Sequence, residues 1–282
     1  GELMNLQERH EKILYPVVRV RTEKVGGSGT VIYSKPSVKD ETVYQTFVMT
    51  NEHVVDDAIK TKEEWDSLLK KKSQKEHLAP VVVELFDYVY LSEVNSANVH
   101  RADIVAYDKG HDIAILKLDS PKPYNYPAAL LPRQRIKGVK LFTHVWTSGC
   151  SLLHDPFANP GYVTYLKEQI ENKLYWMCNA NSIFGNSGGA VFLDETGEQI
   201  GITARITGIQ LGFGFDIMTW MGFFVAPERI YEFFEEQELK FLYDPSDTYE
   251  TALERRKKKQ QMALVSLLKE AQADEAQKTQ DY

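Results

Sequence analysis

A chain of 282 residues, 43% hydrophobic and 26% charged, carries enough apolar material for one large or two modest packed bodies. Its net charge of −7 excludes a generic nucleic-acid binder, which needs a basic face to neutralise phosphate, and the stretch from 247 onward, with seven acids and seven bases, leaves that charge on the preceding residues. No run reaches the ~18 apolar residues of a membrane span, no signal-peptide core opens the chain, and Cys150 and Cys178 are too few for a disulfide framework, so a cytoplasmic protein without a membrane span is expected.

Residues 1–14 form a charged N-terminal segment. Short runs rich in β-branched and aromatic residues then follow one another: Val17–Arg21, Gly29–Tyr33, Thr46–Thr50, Val81–Phe86, Asp112–Leu118, Ala190–Leu193 and Gln199–Thr203. So many strands with few helices between them predict an all-β protein, built as antiparallel barrels or a sandwich. One interruption is expected at 61–72, where Thr61-x-x-Glu64 reads as a capping box before Trp65, Leu68 and Leu69 at helical spacing, with Lys70–Lys72 as a basic end. This predicts a helical insert on the surface, its lysines solvated. After Pro227, the positions of Ile230, Phe233, Phe234 and Phe241 predict a helix from Glu228 to Tyr243. The charged stretch from 244 to 282 reads as a helical tail or as a partly disordered one, its sparse leucines offer a route to a homo-oligomer, and Arg255–Lys259 reads as a solvated face.

The strongest motif is Gly185-Asn186-Ser187-Gly188-Gly189 running into the apolar strand Ala190–Leu193. Alone, it is a tight turn before a strand. Acyl transfer gives the glycines a second purpose, because backbone N–H groups of the turn Gly185-Asn186-Ser187 can converge on a developing oxyanion. A serine hydroxyl needs a base within hydrogen-bond reach, so the motif calls for a histidine. Of the seven, His53 follows the strand Thr46–Thr50 and precedes Val54-Val55, whereas His10, His77 and His100 lie in charged surroundings and His144 and His154 flank a strand and loop. Asp112 opens the apolar run Ile113–Leu116, where a carboxylate is costly unless paired, and a histidine Nδ1–H is a suitable partner. His111 should face away from Asp112, since strand neighbours alternate in direction.

Taken together, Thr50-Asn51-Glu52-His53-Val54-Val55, Asp112-Ile113-Ala114-Ile115-Leu116 and Gly185-Asn186-Ser187-Gly188-Gly189 resemble, in order, the three signatures of the trypsin-like serine proteases, closest to the HtrA (Deg-type) branch. Gly27-Ser28-Gly29 resembles the family's early strand, and Gly222–Pro227 its last strand. The resemblance implies two six-stranded antiparallel barrels of the chymotrypsin type over residues 15–243, divided near 120–140, with C-terminal helices beyond. It implies that Ser187 is the nucleophile, His53 the general base and Asp112 its orienting partner, with Gly185, Asn186 and Ser187 around the oxyanion. Asn181, Ser182 and Ile183 would line the base of the primary pocket and Ile202, Thr203 and Ala204 its wall. With no acid at that base, a neutral or apolar preference follows rather than Lys or Arg. The 39 residues after Tyr243 do not accommodate the PDZ domain usual in that branch.

A polypeptide substrate, no nucleic acid and no cofactor are therefore expected. No metal set is present either, for the cysteines have no short-spaced partner and His-Glu-x-x-His does not occur. A viral or phage maturation protease with one dedicated substrate, and an idle protease-like binding scaffold, are the readings that compete with a general endopeptidase.

Overall fold

Fourteen strands and four α-helices appear among residues 3–180, 187–204 and 221–281, which the computed structural model describes. Strands β1 (Val17–Arg21), β2 (Gly26–Pro36), β3 (Tyr44–Thr50), β6 (Val81–Val89), β7 (Glu93–Asp108) and β8 (Ile113–Ser120) close into one barrel in the order β1-β2-β3-β8-β7-β6. A second closed barrel takes β9 (His144–Gly149), β10 (Phe157–Ile170), β11 (Lys173–Cys178), β12 (Ala190–Leu193), β13 (Gln199–Thr203) and β14 (Gly222–Val225) in the order β10-β11-β14-β13-β12-β9. Every pairing is antiparallel, with β1 returning to β6 and β9 to β10 to seal the rings. Closure removes the unpaired edges that an open sheet would expose. The expected pair of six-stranded barrels is present.

Apolar residues enter the interiors where strand alternation places them. Val17, Phe86, Ala128, Cys150, Ala190 and Phe192 share one buried cluster with Met4 and Ile13 of the N-terminal segment, which begins with α1 (Leu6–Arg9). That segment is tied down by Arg9 to Asp194 at 2.5 Å and by His10 Nε2 to Ser92 Oγ at 2.6 Å. Burial of a phenylalanine such as Phe192, fully enclosed, is worth about 1.5–3 kcal/mol.

The chain divides into two compact units, Gly1–Ala58 with Ala79–Phe233, and Ile59–Leu78 with Phe234–Tyr282. Both barrels belong to the first. The second holds the clearest departure from expectation: residues 61–72 do not form a helix but most of a hairpin, β4 (Ile59–Asp66) paired with β5 (Lys71–Leu78). The physical reason lies at the turn. Asp66 Oδ1 accepts the backbone N–H groups of Leu68 and Leu69 at 2.9 and 3.1 Å, an Asx turn that reverses the chain, and Lys70 completes it at φ 51°. A helix of a dozen residues is marginal unless packed, and here Trp65 and Leu68 are exposed.

Helix α3 runs over Pro227–Glu236, shorter than 228–243, because Glu238 turns left-handed at φ 57° before a 3₁₀ turn at Lys240–Leu242. Helix α4 spans Tyr249–Gln280, capped by Thr248, whose hydroxyl accepts the Thr251 N–H at 3.1 Å. No helix among the described residues is long and apolar enough to cross a membrane.

Candidate active site

Where β3 ends, the chain enters a four-residue helix, α2 (Glu52–Val55), with Asn51 as its N-cap residue. Val54 and Val55 are buried and fix the turn against the barrel, which leaves His53 at its mouth with its side chain 13% exposed. The histidine thus sits in a helical turn, not at the strand terminus itself. Asp112 closes the loop between β7 and β8 in the left-handed region, φ 56°, a conformation that aspartate tolerates better than most residues. Its carbonyl accepts Asn51 Nδ2–H at 2.9 Å, and its Oδ1 accepts the His53 backbone N–H at 3.0 Å.

These two bonds aim the carboxylate at the imidazole. His53 Nδ1 lies 2.7 Å from Asp112 Oδ2 and 3.0 Å from Oδ1. A carboxylate only accepts, so the imidazole proton belongs on Nδ1, and Nε2 keeps a free lone pair. His111 does face elsewhere: it is 5% exposed, packs against the Phe233 ring, and its carbonyl accepts from Arg229 Nη2 at 2.6 Å. Asp108 caps its own turn by accepting the His111 N–H at 2.6 Å.

Ser187 is positioned through its backbone. Its carbonyl accepts the Ser28 N–H at 2.8 Å, and a Cβ placed on Gly27 would lie 2.9 Å from both that carbonyl oxygen and Val54 Cγ1. The residue after His53 and the serine therefore meet at one glycine. Gly188, at φ +87°, packs against the Ser28 carbonyl and the Thr50 hydroxyl so closely that a Cβ there would collide with both. Thr50 Oγ1 donates to that same Ser28 carbonyl at 2.7 Å, and Ser28 Oγ accepts the Cys150 N–H at 2.7 Å. Ser28 thus links the serine turn, the strand leading to His53, and the end of β9.

Beyond the turn, Thr203 N–H donates to the Gly189 carbonyl at 3.0 Å, so Thr203 flanks Gly188–Gly189, while Ile202 pairs with Ala190 and Ala204 N–H donates to the Phe223 carbonyl at 3.1 Å. Gly185 and Asn186 of the oxyanion turn, and Asn181, Ser182 and Ile183 of the pocket base, lie outside the described residues. Both cysteines are buried and unbridged, and burial pushes their thiols up, Cys178 to about 11, so neither is disposed to act as a thiolate nucleophile. Among the described residues no cluster of His, Cys, Asp and Glu could hold a metal ion.

Four residues of this neighbourhood stand inside the quoted motifs without a role that the sequence assigns: Ser28, Thr50, Asn51 and Glu52. The first three act through backbone groups far away in the chain, which no spacing encodes. Glu52 is 6% exposed, and burial, then Asp56 and Asp112, raise its pKa. A carboxyl with a raised folded-state pKa costs stability as pH climbs through that range, in full above it. Glu52→Gln is therefore expected to raise Tm at pH 7, with the gain shrinking as pH falls through the raised range toward the ordinary glutamate value of 4.5 and lost below it. Paired thermal melts at pH 7 and pH 4 check this, and an equal gain at both would contradict it.

Residues 27–202 match the model of the trypsin-like peptidase domain. Among solved structures, the HtrA-type protease AlgW with tripeptide aligns at TM-score 0.58 and 17% identity, over 84% of this chain and 64% of that one. A serine endoprotease from Yersinia pestis aligns at 0.53 and 18% (83% and 67% of the two chains), and Deg5 at 0.54 and 17% (81% and 94%). The chain thus spans about two thirds of the length of AlgW. No curated protein matches it by sequence. At such identities the structural likeness speaks for the fold, whereas the family match covers more than half of the chain and includes His53, Asp112 and Ser187. With two closed barrels and these residues brought toward one junction, the chain belongs to the trypsin-like peptidase domain family and has the fold of HtrA-type proteases.

Proposed function

We propose that the protein is an endopeptidase that hydrolyses polypeptides through an acyl-enzyme formed on Ser187. The observation that carries the reading is the doubly held His53–Asp112 pair, set beside a serine whose carbonyl is tied to Gly27–Ser28. In this reading Ser187 Oγ attacks the scissile carbonyl carbon while His53 Nε2 takes its proton. The oxyanion that forms is held by the N–H groups of Gly185 and Ser187 in the turn with Asn186. Collapse breaks the C–N bond, His53 returns the proton to the leaving amine, and water, activated by the same nitrogen, hydrolyses the ester. Asp112 fixes the tautomer and stabilises the imidazolium without accepting the proton. The acyl half of the substrate lies along Ile202–Ala204, with Asn181–Ile183 at the base of a neutral pocket.

A fluorophosphonate probe tests the reading directly. Labelling should fall on Ser187, located by mass spectrometry of the digest, and vanish in Ser187→Ala. Folded wild-type protein that takes up no label, with or without peptide substrate, would overturn it.

A further inference from the structure

The loop that presents Asp112 has little packing of its own. Lys109 and Gly110 are exposed, and Asp112 sits at φ 56°, strain that persists only where the surroundings over-determine it. Asp108 supplies one restraint by accepting the His111 N–H, and Asn51 a second by donating to the Asp112 carbonyl. A third comes from beyond the second barrel. Arg229, in the first turn of α3, sends Nη2–H to the His111 carbonyl at 2.6 Å and to the Gly110 carbonyl at 3.4 Å, while its Nη1–H donates to the Leu174 carbonyl of β11 at 3.2 Å. Its guanidinium carbon lies 4.8 Å from the centre of the Tyr175 ring, also on β11. One planar group thus ties the two residues before Asp112 to a strand of the second barrel.

Stability alone does not call for an arginine here. Arg229 is 3% exposed, its bonds among the described residues go to carbonyls, and its buried Nε–H has no partner among them. A buried cation without a carboxylate is costly, and in the first turn of a helix it also meets the positive end of the macrodipole. An apolar side chain would fill the same space without either penalty, but it could not grip two carbonyls at once. We infer that Arg229 is a positioning residue: it holds the Asp108–Asp112 loop against α3 and β11 so that the Asp112 carboxylate stays on His53. This inference rests on the proposed use of the His53–Asp112 pair by Ser187, but one arm of its test does not involve the serine.

Full-length wild type, Arg229→Lys and Arg229→Met are compared by fluorophosphonate labelling rate, by thermal melt and by ¹H NMR of the His53 Nδ1 proton, assigned by its loss in His53→Gln. With both carbonyls released, Arg229→Met should label on the order of 10²-fold more slowly, the effect of a misplacement of about 1 Å. Its Nδ1 proton should broaden as the carboxylate leaves the ring. Arg229→Lys keeps the cation and one donor for the His111 carbonyl, so its labelling should slow only by about three- to tenfold, the effect of one lost hydrogen bond. A folded Arg229→Met with wild-type labelling rate and Nδ1 proton, whatever its Tm, overturns the inference. Should that variant show no cooperative melt, Arg229→Lys decides, and wild-type behaviour by both readouts overturns it. A wild type that takes up no label counts against Ser187 alone, because the Nδ1 proton reads the loop without the serine.

Discussion

Asp112→Asn should lower kcat by about 10⁴ while leaving KM and Tm nearly unchanged. The carboxylate places Oδ2 2.7 Å from His53 Nδ1 and gives Oδ1 to both the ring nitrogen and the His53 backbone N–H. An asparagine keeps only one acceptor oxygen. If that oxygen stays with the backbone N–H, the side-chain NH₂ faces Nδ1 and turns it into an acceptor, which moves the imidazole proton to Nε2 and removes the base. The fold should tolerate the change, because asparagine accepts the left-handed backbone at φ 56° and the bond from Asn51 goes to the main-chain carbonyl. Steady-state kinetics and a thermal melt on the same preparation decide it. A loss of less than tenfold would mean that Asp112 does not set the tautomer.

The second large effect belongs to Gly188. A methyl group there meets the Ser28 carbonyl oxygen and the Thr50 hydroxyl, and the residue sits at φ +87°. Retreat of Thr50 offers no relief, because the harder clash is with backbone and the Thr50 bond to Ser28 would be lost as well. Overpacking of about 1–3 kcal/mol and a left-handed penalty of about 1–2 kcal/mol predict that Gly188→Ala destabilises by about 2–5 kcal/mol. Whatever fraction folds must displace Ser187 relative to His53, and a misplacement of about 1 Å costs on the order of 10²-fold in rate. Urea unfolding and the labelling rate of Ser187 read the two consequences separately. A variant with wild-type midpoint and labelling rate would show that the serine turn is not seated on Ser28 and Thr50.

What could be read beforehand followed from how local the cause was. Val17–Arg21, Ala190–Leu193 and Gln199–Thr203 declare their strands by β-branched runs, and β1, β12 and β13 have those bounds. Ser187, Asp112 and His53 stand out because each carries a chemical demand that its own context displays. Residues 59–78 misled because Thr61-x-x-Glu64 has the letters of a helix start, while the deciding feature is Asp66 gripping Leu68 and Leu69 two and three residues on. The long strands β7 and β10 were missed since their solvent faces are polar, as in Glu93–Asn98 and Lys167–Gln169, and dilute the apolar signal. Asn51 and Thr50 were invisible as positioning groups because their partners are main-chain carbonyls 61 and 22 residues distant.

The contacts of Ser28 have a corollary for sequence divergence. Two of the links described for Ser28 are made by its peptide N–H and C=O, groups that every residue but proline supplies, and the bonds that Asn51 gives to Asp112 and Ser28 gives to Ser187 likewise end on carbonyls. Architecture written in main-chain atoms is insensitive to most side-chain replacement. It gives a physical account of how barrels related to AlgW and Deg5 at 17% identity keep a shared form, and it places the vulnerable spots where a Cβ, rather than a functional group, is forbidden.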